Sequence, residues 1–270
     1  LCGMGGSAIG GSLLAALTAK ECRVPFTVNR DYDLPAWVTG PHTLVIGSSH
    51  SGNTEETLAA FKQAIERKTK LMAIAGGGQI ADLCREAGGT VWTFDYKSQP
   101  RAAVGCSFAL PLALFCRAGL IPDKSAELAG AVAAMREQQK NLRAESPVTR
   151  NPAKRMAGQF MDRYVLVFGS GIMGAVARRW KGQVSENAKA WAQWEELPEM
   201  NHNSVVGLTN PELLITKYMV VFLESEFDHP RNKIRSTVTR ELFMTAGFNT
   251  DVIHGVGPTP LAQMLTCLHY

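Results

Sequence analysis

The chain has 270 residues, of which 46% are hydrophobic and 19% charged, and its formal net charge at pH 7 is +4. This length suits one large or two medium domains of an ordinary soluble globular protein, and the mild charge without a Lys/Arg block argues against nucleic acid as a partner. Six scattered cysteines, no signal-peptide pattern and no apolar run of membrane-spanning length predict a cytoplasmic protein without membrane contact.

The chain opens with the pattern of a strand, a glycine-rich turn and a helix. The turn, residues 3–11, is close to the GxGxxG fingerprint of dinucleotide-binding folds, but its third glycine comes late and no acidic residue follows at the distance that a ribose hydroxyl needs. The alternative is that Gly5, Gly6 and Ser7 let the backbone approach a ligand that a later turn holds. Since Leu1 starts within a strand pattern and Tyr270 stops within a helical one, we expect a chain clipped at both ends.

A second turn, residues 48–57, joins an apolar strand to a helix predicted over residues 54–68. Ser49, Ser51 and Thr54 crowd this turn. The start of the helix offers unpaired N–H groups and the positive end of its dipole, which together attract a phosphate. The competing interpretation is a capping box with Thr54 as N-cap. One residue set can serve both purposes, so the local pattern leaves both open.

Alternation of strands and helices continues through the first half of the chain. The predicted strands are residues 25–29, 43–47, 70–75 and 90–95, and the predicted later helices are residues 80–87 and 107–118. This order predicts an α/β fold, with a parallel sheet covered on both faces and a ligand site beyond the carboxyl ends of its strands. Arg101 enters the last of these helices, either as a partner of a phosphate or as a solvated charge.

The second half repeats the plan of the first. Residues 123–162 are polar and helical and predict a connector between a first domain, residues 1–122, and a second, residues 163–270. The predicted elements of the second domain are a strand at 164–168, a helix at 172–191, a polar loop at 195–203, a strand at 213–223, a helix at 229–246, a strand at 251–254 and a helix from 260.

Glu186 and His202 are the candidate acid–base residues. A carboxylate and an imidazole near a phosphate site suit aldose–ketose isomerisation, because a base must carry a proton between C1 and C2 and the sugar ring must first open. Taken alone, Glu186 is better explained by an i, i+3 pair with Lys189, and His202 by a hydrogen bond to the backbone. His50 is interpreted as a surface position. The six histidines have no metal-site spacing, so we expect no metal and no cofactor.

Three motifs together resemble a known family. Residues 3–11 (GMGGSAIGG) and residues 49–57 (SHSGNTEET) are similar to sugar isomerase (SIS) domains. Residues 186–189 (ENAK), followed by residues 196–203 (ELPEMNHN), resemble the bifunctional phosphoglucose/phosphomannose isomerases in particular. The motifs occur in the family's order and span nearly the whole chain.

This resemblance implies two tandem, flavodoxin-like SIS domains in an intertwined homodimer that interconverts fructose 6-phosphate with glucose 6-phosphate and mannose 6-phosphate through a cis-enediol. Glu186 would be the base, and His202 would assist ring opening from the partner subunit. The residues implied at the substrate are Ser7, Ser49, Ser51 and Thr54 on the phosphate, with Gly5, Gly6 and Arg101 close by. The family's further C-terminal helix, with its catalytic lysine, has no counterpart here.

Two other functions remain as alternatives. A sugar-phosphate-binding regulatory module would keep Ser49, Ser51 and Thr54 but would not need Glu186 or His202, and we find no DNA-binding segment that would accompany it. A nicotinamide-dependent oxidoreductase would depend on the glycine-rich turn alone.

Overall fold

The computed structural model describes residues 1–270 and divides them into two compact units, Leu1–Asp123 and Lys124–Tyr270. Each unit contains a parallel sheet with helices packed against it, which confirms the predicted α/β class. None of the helices combines the length and the apolar character needed to cross a membrane.

The first unit has three strands and four helices. In chain order they are α1 (Gly5–Thr18), β1 (Leu44–Ser49), α2 (Glu55–Glu66), β2 (Lys70–Ala75), α3 (Gln79–Glu86), β3 (Thr90–Thr93) and α4 (Val104–Arg117). The sheet order is β1-β2-β3, and Cys2 adds parallel bridges to Gly47 on one side and to Asn29 on the other. Counted along the chain, this order is 2-1-3-4-5, that of a doubly wound flavodoxin-like sheet.

The predicted strand at residues 25–29 was wrong except at its end. Only Asn29 forms a bridge, through its N–H to Leu1 O (2.8 Å) and through its carbonyl to Gly3 N (3.2 Å). Before Asn29 the segment contributes only Thr27 O, which accepts from the Leu1 amino group at 2.8 Å, and Pro25 has no N–H to donate.

Both faces of this sheet are covered, as expected for parallel strands. Adjacent residues of β1 face opposite sides because side chains alternate along a strand. Val45 packs with Phe61 of α2 and Ile80 of α3. Ile46 packs on the other side with Leu114 of α4. Strand β1 therefore lies between α2 and α3 on one face of the sheet and α4 on the other.

The second unit has four strands and five helices. In chain order they are α5 (Ser125–Leu142), α6 (Pro152–Phe160), β4 (Tyr164–Ser170), α7 (Ile172–Gln183), β5 (Ala192–Leu197), β6 (Tyr218–Glu224), α8 (Pro230–Thr245), β7 (Asn249–His254) and α9 (Pro260–His269). All neighbouring strands are parallel in the order β5-β4-β6-β7, which is 2-1-3-4 along the chain. Phe168, Phe222 and Phe243 form the centre of one buried cluster.

The sequence missed strand β5, which includes part of the expected polar loop. It is an edge strand that pairs only with β4, and only Ala192 and Leu197 are buried along it. With so few buried positions, no apolar alternation was visible. The expected strand at 213–223 also begins later, because Glu212–Lys217 is a 3₁₀ helix.

Residues 123–162 were predicted to connect two domains. Their helices belong to the second unit, where α5 packs along α9 and Gln138 Oε1 lies 3.0 Å from His269 Nδ1. The domain boundaries themselves stay a prediction.

All six cysteines are free thiols. Cys2, Cys84 and Cys267 are buried, and burial raises the pKa of Cys2 to about 11 and that of Cys267 to about 12. These three residues therefore behave as small apolar core side chains.

Candidate active site

The glycine-rich turn owes its glycines to close packing. A Cβ on Gly3 would lie 2.8 Å from Ser48 O, and one on Gly6 would lie 2.9 Å from Pro100 O. A Cβ on Gly10 would overlap Ser107 O, where α1 crosses α4. Gly5, at φ +47°, starts α1 with open space around it. Close packing at Gly3 and Gly10, together with the positive φ of Gly5, accounts for the glycine spacing without a dinucleotide.

The Ser/Thr turn is built on a pair of hydroxyls. Ser49 Oγ lies 2.9 Å from Thr54 Oγ1 and accepts a hydrogen bond from Gly52 N at 3.0 Å. Thr54 occupies the N-cap position of α2, yet its side chain makes no capping hydrogen bond. The capping-box interpretation is therefore wrong for this hydroxyl. Ser51 is exposed, and its Oγ accepts from Asn53 N at 3.2 Å.

A neighbouring glycine turn holds the Ser/Thr turn in place. Gly52 has φ +71°, and a Cβ there would overlap Gly77 O. His50 O accepts from Gly76 N at 3.1 Å, and Gln79 N donates to Asn53 Oδ1 at 3.1 Å. The imidazole Nε2 of His50 lies 3.1 Å from Tyr96 O. These contacts with the neighbouring glycine turn fix the backbone of the Ser/Thr turn.

The predicted first-half residues come together at the carboxyl ends of the two central strands. Ser7 Oγ accepts from His50 N at 3.2 Å, which ties α1 to the Ser/Thr turn. The Cβ position of Gly6 is 3.8 Å from Arg101 Cα. The starts of α1 and α2 therefore meet at the switch point of the sheet, where ligands of doubly wound folds bind. Two helix N-termini with hydroxyls beside them suit a phosphate.

The switch point of the second unit has a different chemistry. Asp228 Oδ2 accepts from Ser225 N at 2.9 Å, and the Ser170 side chain also bonds to this carboxyl. Burial raises the pKa of Asp228 despite these bonds. A buried carboxylate beside the start of α7 would repel a phosphate, so the geometry favours the first unit as the anion site.

Glu186 lies in a π-helical turn, Val184–Ala188, that directly continues α7. The predicted helix to residue 191 therefore ends early, at Lys189, which is left-handed with φ 58°. The Lys189 ammonium donates to the main-chain carbonyl of Glu186 rather than to its carboxylate. This contact replaces the i, i+3 side-chain pair considered above. The Glu186 side chain is half-buried, and π-turns occur frequently at functional sites.

Sequence reasoning missed Arg179, seven residues before Glu186. It is 4% exposed on α7. Burial lowers the pKa of Arg179, and the negative charge of Glu186 opposes this effect. An arginine that interrupts the apolar run before Glu186 was the available signal.

His202 ends the 3₁₀ helix Glu199–His202 and is exposed. The preceding residues anchor it, because Met200 is fully buried and Asn201 Nδ2 donates to Thr239 Oγ1 at 2.8 Å. The hydrogen bonds of the structure do not join His202 to Glu186. The loop thus presents the imidazole to the surface on a fixed backbone.

Comparisons with known proteins agree with the motifs. Residues 149–270 match the family model described as the bacterial phospho-glucose isomerase C-terminal SIS domain. A bifunctional phosphoglucose/phosphomannose isomerase of Caldicellulosiruptor bescii is 38% identical over 99% of this chain and 79% of its own length. The protein of the same description from Aquifex aeolicus is 32% identical over the same shares of the two chains.

A solved structure shows the same fold at low identity. The tagatose-6-phosphate ketose/aldose isomerase of Escherichia coli superposes with a TM-score of 0.65 and 17% identity, covering 99% of this chain and 80% of its own. The doubly wound sheets and the matched family model define a protein of the SIS class. At 38% identity over nearly its whole length, the chain belongs to the bifunctional phosphoglucose/phosphomannose isomerase family.

Proposed function

We propose that this protein interconverts fructose 6-phosphate with glucose 6-phosphate and with mannose 6-phosphate, through a cis-enediol intermediate and without a metal ion. The observation that carries the proposal is the Ser49–Thr54 hydroxyl pair beside the starts of α1 and α2, in a chain of this family. Such a site fits the phosphate that both aldoses and the ketose share, and it leaves the reacting end of the sugar to other residues.

The first unit binds the phosphate. Ser7, Ser49, Ser51 and Thr54 contribute hydroxyls, and the glycines at the start of α1 let the main chain approach. Arg101 supplies a positive charge from the 3₁₀ helix Pro100–Ala102, whose backbone lies beside Gly6. An arginine can pair with phosphate through two parallel hydrogen bonds.

Glu186 is the base that moves the proton. Its carboxylate takes the C2 proton of an aldose while the aldehyde oxygen O1 gains a proton, which gives the enediol. It then returns the proton to C1 while the O2 hydroxyl loses its proton, which yields the ketose; the reverse sequence restores an aldose. Return of the proton to either face of C2 gives the glucose or the mannose epimer. Support comes from the half-buried position of Glu186 in a π-turn that Lys189 closes.

His202 assists opening of the sugar ring, and it reaches the substrate from the partner subunit of a homodimer. Its exposure on an anchored 3₁₀ helix supports this role, because an imidazole that serves a second chain must lie at the surface. We further propose tandem SIS domains at residues 1–122 and 163–270, with residues 123–162 between them. The matching strand orders, 2-1-3-4-5 and 2-1-3-4, support this repeat.

The test is isomerisation of fructose 6-phosphate by the purified full-length protein, with glucose 6-phosphate and mannose 6-phosphate measured separately. Glu186→Gln should lower kcat by a factor on the order of 10² or more while sugar-phosphate binding persists, because the amide cannot accept the proton. Glu241→Gln, an exposed carboxylate on α8, is the matched control and should keep full activity.

Two results would contradict the proposal. Tight binding of the sugar phosphate without turnover by the wild-type protein would indicate a regulatory module. Full kcat in Glu186→Gln would remove Glu186 as the base and leave the rest of the assignment intact.

A further inference from the structure

His50 makes contacts well beyond the Ser/Thr turn in which it lies. Its main chain belongs to the turn, where the N–H donates to Ser7 Oγ at 3.2 Å. Its imidazole instead reaches the segment that follows β3, and Nε2 lies 3.1 Å from Tyr96 O. A carbonyl oxygen can only accept, so Nε2 carries the hydrogen and donates it. This hydrogen bond joins two segments that are 46 residues apart in the chain.

Two ring contacts accompany the hydrogen bond of His50. The imidazole meets the ring of Phe94 edge-on, with centroids 5.7 Å apart, and the ring of Tyr96 with centroids 6.5 Å apart. Edge-to-face pairs at such distances are favourable beyond the area that they bury. The hydroxyls and N–H groups of a phosphate-binding turn do not require an imidazole beside them. The contacts therefore point to a task of this side chain in the segment after β3.

The segment that His50 contacts, residues 94–99, has no core packing of its own beyond its first residue. Phe94 continues the pairing with β2, since its N–H donates to Ala75 O at 3.2 Å. Residues 95–100 are all exposed. A stretch without buried side chains is fixed mainly by its hydrogen bonds and by the contacts at its ends. The position of this backbone therefore depends on the imidazole of His50.

Residues 94–99 lead directly into the 3₁₀ helix Pro100–Ala102, which carries Arg101. This helix lies against the start of α1, because a Cβ on Gly6 would be 2.9 Å from Pro100 O. Arg101 Nη1 donates to Gln99 Oε1 at 3.4 Å, so the guanidinium is in contact with the end of the segment. A shift of residues 94–99 would therefore move the arginine relative to the hydroxyls of the Ser/Thr turn.

We propose that His50 is a positioning residue for Arg101: its imidazole ties residues 94–99 to the Ser/Thr turn and so holds the arginine beside the phosphate that the turn binds. The inference rests on the proposed function, which assigns the phosphate to this turn and to Arg101. A site whose parts are held in place before binding has a higher affinity, because less conformational freedom is lost when the ligand arrives. His50 itself need not touch the substrate.

The test measures kcat and KM for fructose 6-phosphate in His50→Leu, His50→Gln, Arg101→Met and the double variant of His50→Leu with Arg101→Met. His50→Leu should raise KM by roughly 3- to 10-fold, the effect of one hydrogen bond. It should leave kcat nearly unchanged, because the phosphate is held alike in the ground and transition states. His50→Gln keeps an amide donor and should restore most of the wild-type KM. In the Arg101→Met background, His50→Leu should have almost no further effect, since the residue through which it acts is gone.

A second measurement does not depend on turnover. Lys97 is exposed within residues 94–99, and trypsin can cleave after it when the segment opens locally. Cleavage at this site, followed by mass spectrometry, should be roughly 3- to 10-fold faster in His50→Leu than in the wild type and should slow again in His50→Gln. His42→Leu, at an exposed histidine of the same unit, is the matched control and should change neither KM nor the cleavage rate.

Circular dichroism and the unfolding temperature identify variants that fail to fold, and His50→Phe, which keeps a ring and removes the donor, serves if His50→Leu does. A folded variant without the donor that keeps the wild-type KM overturns the inference. Effects of His50→Leu and Arg101→Met on KM that multiply in the double variant, or a wild-type KM in Arg101→Met, overturn it as well. Absence of isomerisation by the wild-type protein would instead overturn the proposed function, and the affinity for fructose 6-phosphate from isothermal titration calorimetry would then take the place of KM.

Discussion

The hydroxyl hydrogens of Ser49 and Thr54 can be counted against the hydrogen bonds that these two side chains make. A hydroxyl has one donor and two acceptor positions. Ser49 Oγ accepts from Gly52 N and shares a hydrogen with Thr54 Oγ1, so that one hydrogen of the pair is used between the two oxygens. The second hydrogen of the pair is not used between them, and the proposed phosphate could accept it. A rigid backbone therefore presents a free donor where two helices begin.

Ser51→Ala together with Thr54→Val should raise KM for fructose 6-phosphate by on the order of 10²-fold or more, because each of the two hydrogen bonds lost to a charged group contributes about 1.5–3 kcal/mol net. The phosphate is held equally in the ground and transition states, so kcat should change much less. Steady-state kinetics measures both constants. Thr54→Ser keeps the hydroxyl and is the control; an unchanged KM in the double variant would mean that the phosphate binds elsewhere.

The absence of a side chain at Gly10 determines how closely helix α1 approaches helix α4. Helices α1 and α4 cross at Gly10, where the hydrogen of glycine faces the Ser107 carbonyl. Ser107 Oγ donates to Gly6 O at 2.9 Å, which fixes the first turn of α1 against α4. The position of the first turn of α1, which includes Ser7, therefore depends on how α1 packs against α4.

Gly10→Ala should lower the free energy of unfolding by about 3 kcal/mol, because the added methyl overlaps backbone atoms that cannot move without shifting α4. Gly105→Ala, on α4 itself, adds a methyl into open space and should raise stability by about 0.5–1 kcal/mol through helix propensity. Urea unfolding followed by circular dichroism measures both. Equal stability of the two variants would show that the helices separate at little cost.

At the scale of the whole molecule, two parallel sheets of related strand order, 2-1-3-4-5 and 2-1-3-4, carry different chemistry. The first switch point has the hydroxyls of Ser49 and Thr54, whereas the second holds Asp228 with Ser170 and Ser225. Topology alone therefore does not say which half binds an anion. The buried Asp228 carboxyl supports the proposal that the first half binds the phosphate, since any negative charge on it opposes that of a phosphate.

Asp228 should also influence how stability depends on pH. Burial raises its pKa above the ordinary value of 3.8, so the folded state binds the proton more tightly than the unfolded state. Its contribution to stability is fully present below that ordinary value and is lost as pH rises through the folded-state pKa. Asp228→Asn has no titrating carboxyl and does not lose this contribution. The unfolding free energy of the variant minus that of the wild type should therefore increase from about pH 4 to about pH 7.

Urea unfolding of both proteins at a series of pH values measures this difference, with Glu241→Gln as an exposed control whose difference should stay flat. A difference for Asp228→Asn that did not vary with pH would show that the carboxyl titrates alike in the folded and unfolded states.

Residue patterns alone were enough for the α/β class, for most strands and helices, and for the motifs that mark the family. These are local properties, since apolar periodicity and glycine-rich turns leave their trace in a few neighbouring residues. Strand β5 left no such trace because most of its side chains are not buried. The pattern of residues 25–29 was equally misleading, because strand pairing depends on a partner elsewhere in the chain.

Only the tertiary structure decided the remaining questions about the site. It showed that Thr54 pairs with Ser49 instead of capping α2, that Lys189 donates to the Glu186 carbonyl instead of its carboxylate, and that Arg179 of α7 is buried. Each fact depends on which of several possible hydrogen-bond partners lies near in space. Side chains such as Ser, Thr and Lys can bond locally or over a distance, and a linear sequence does not distinguish the two.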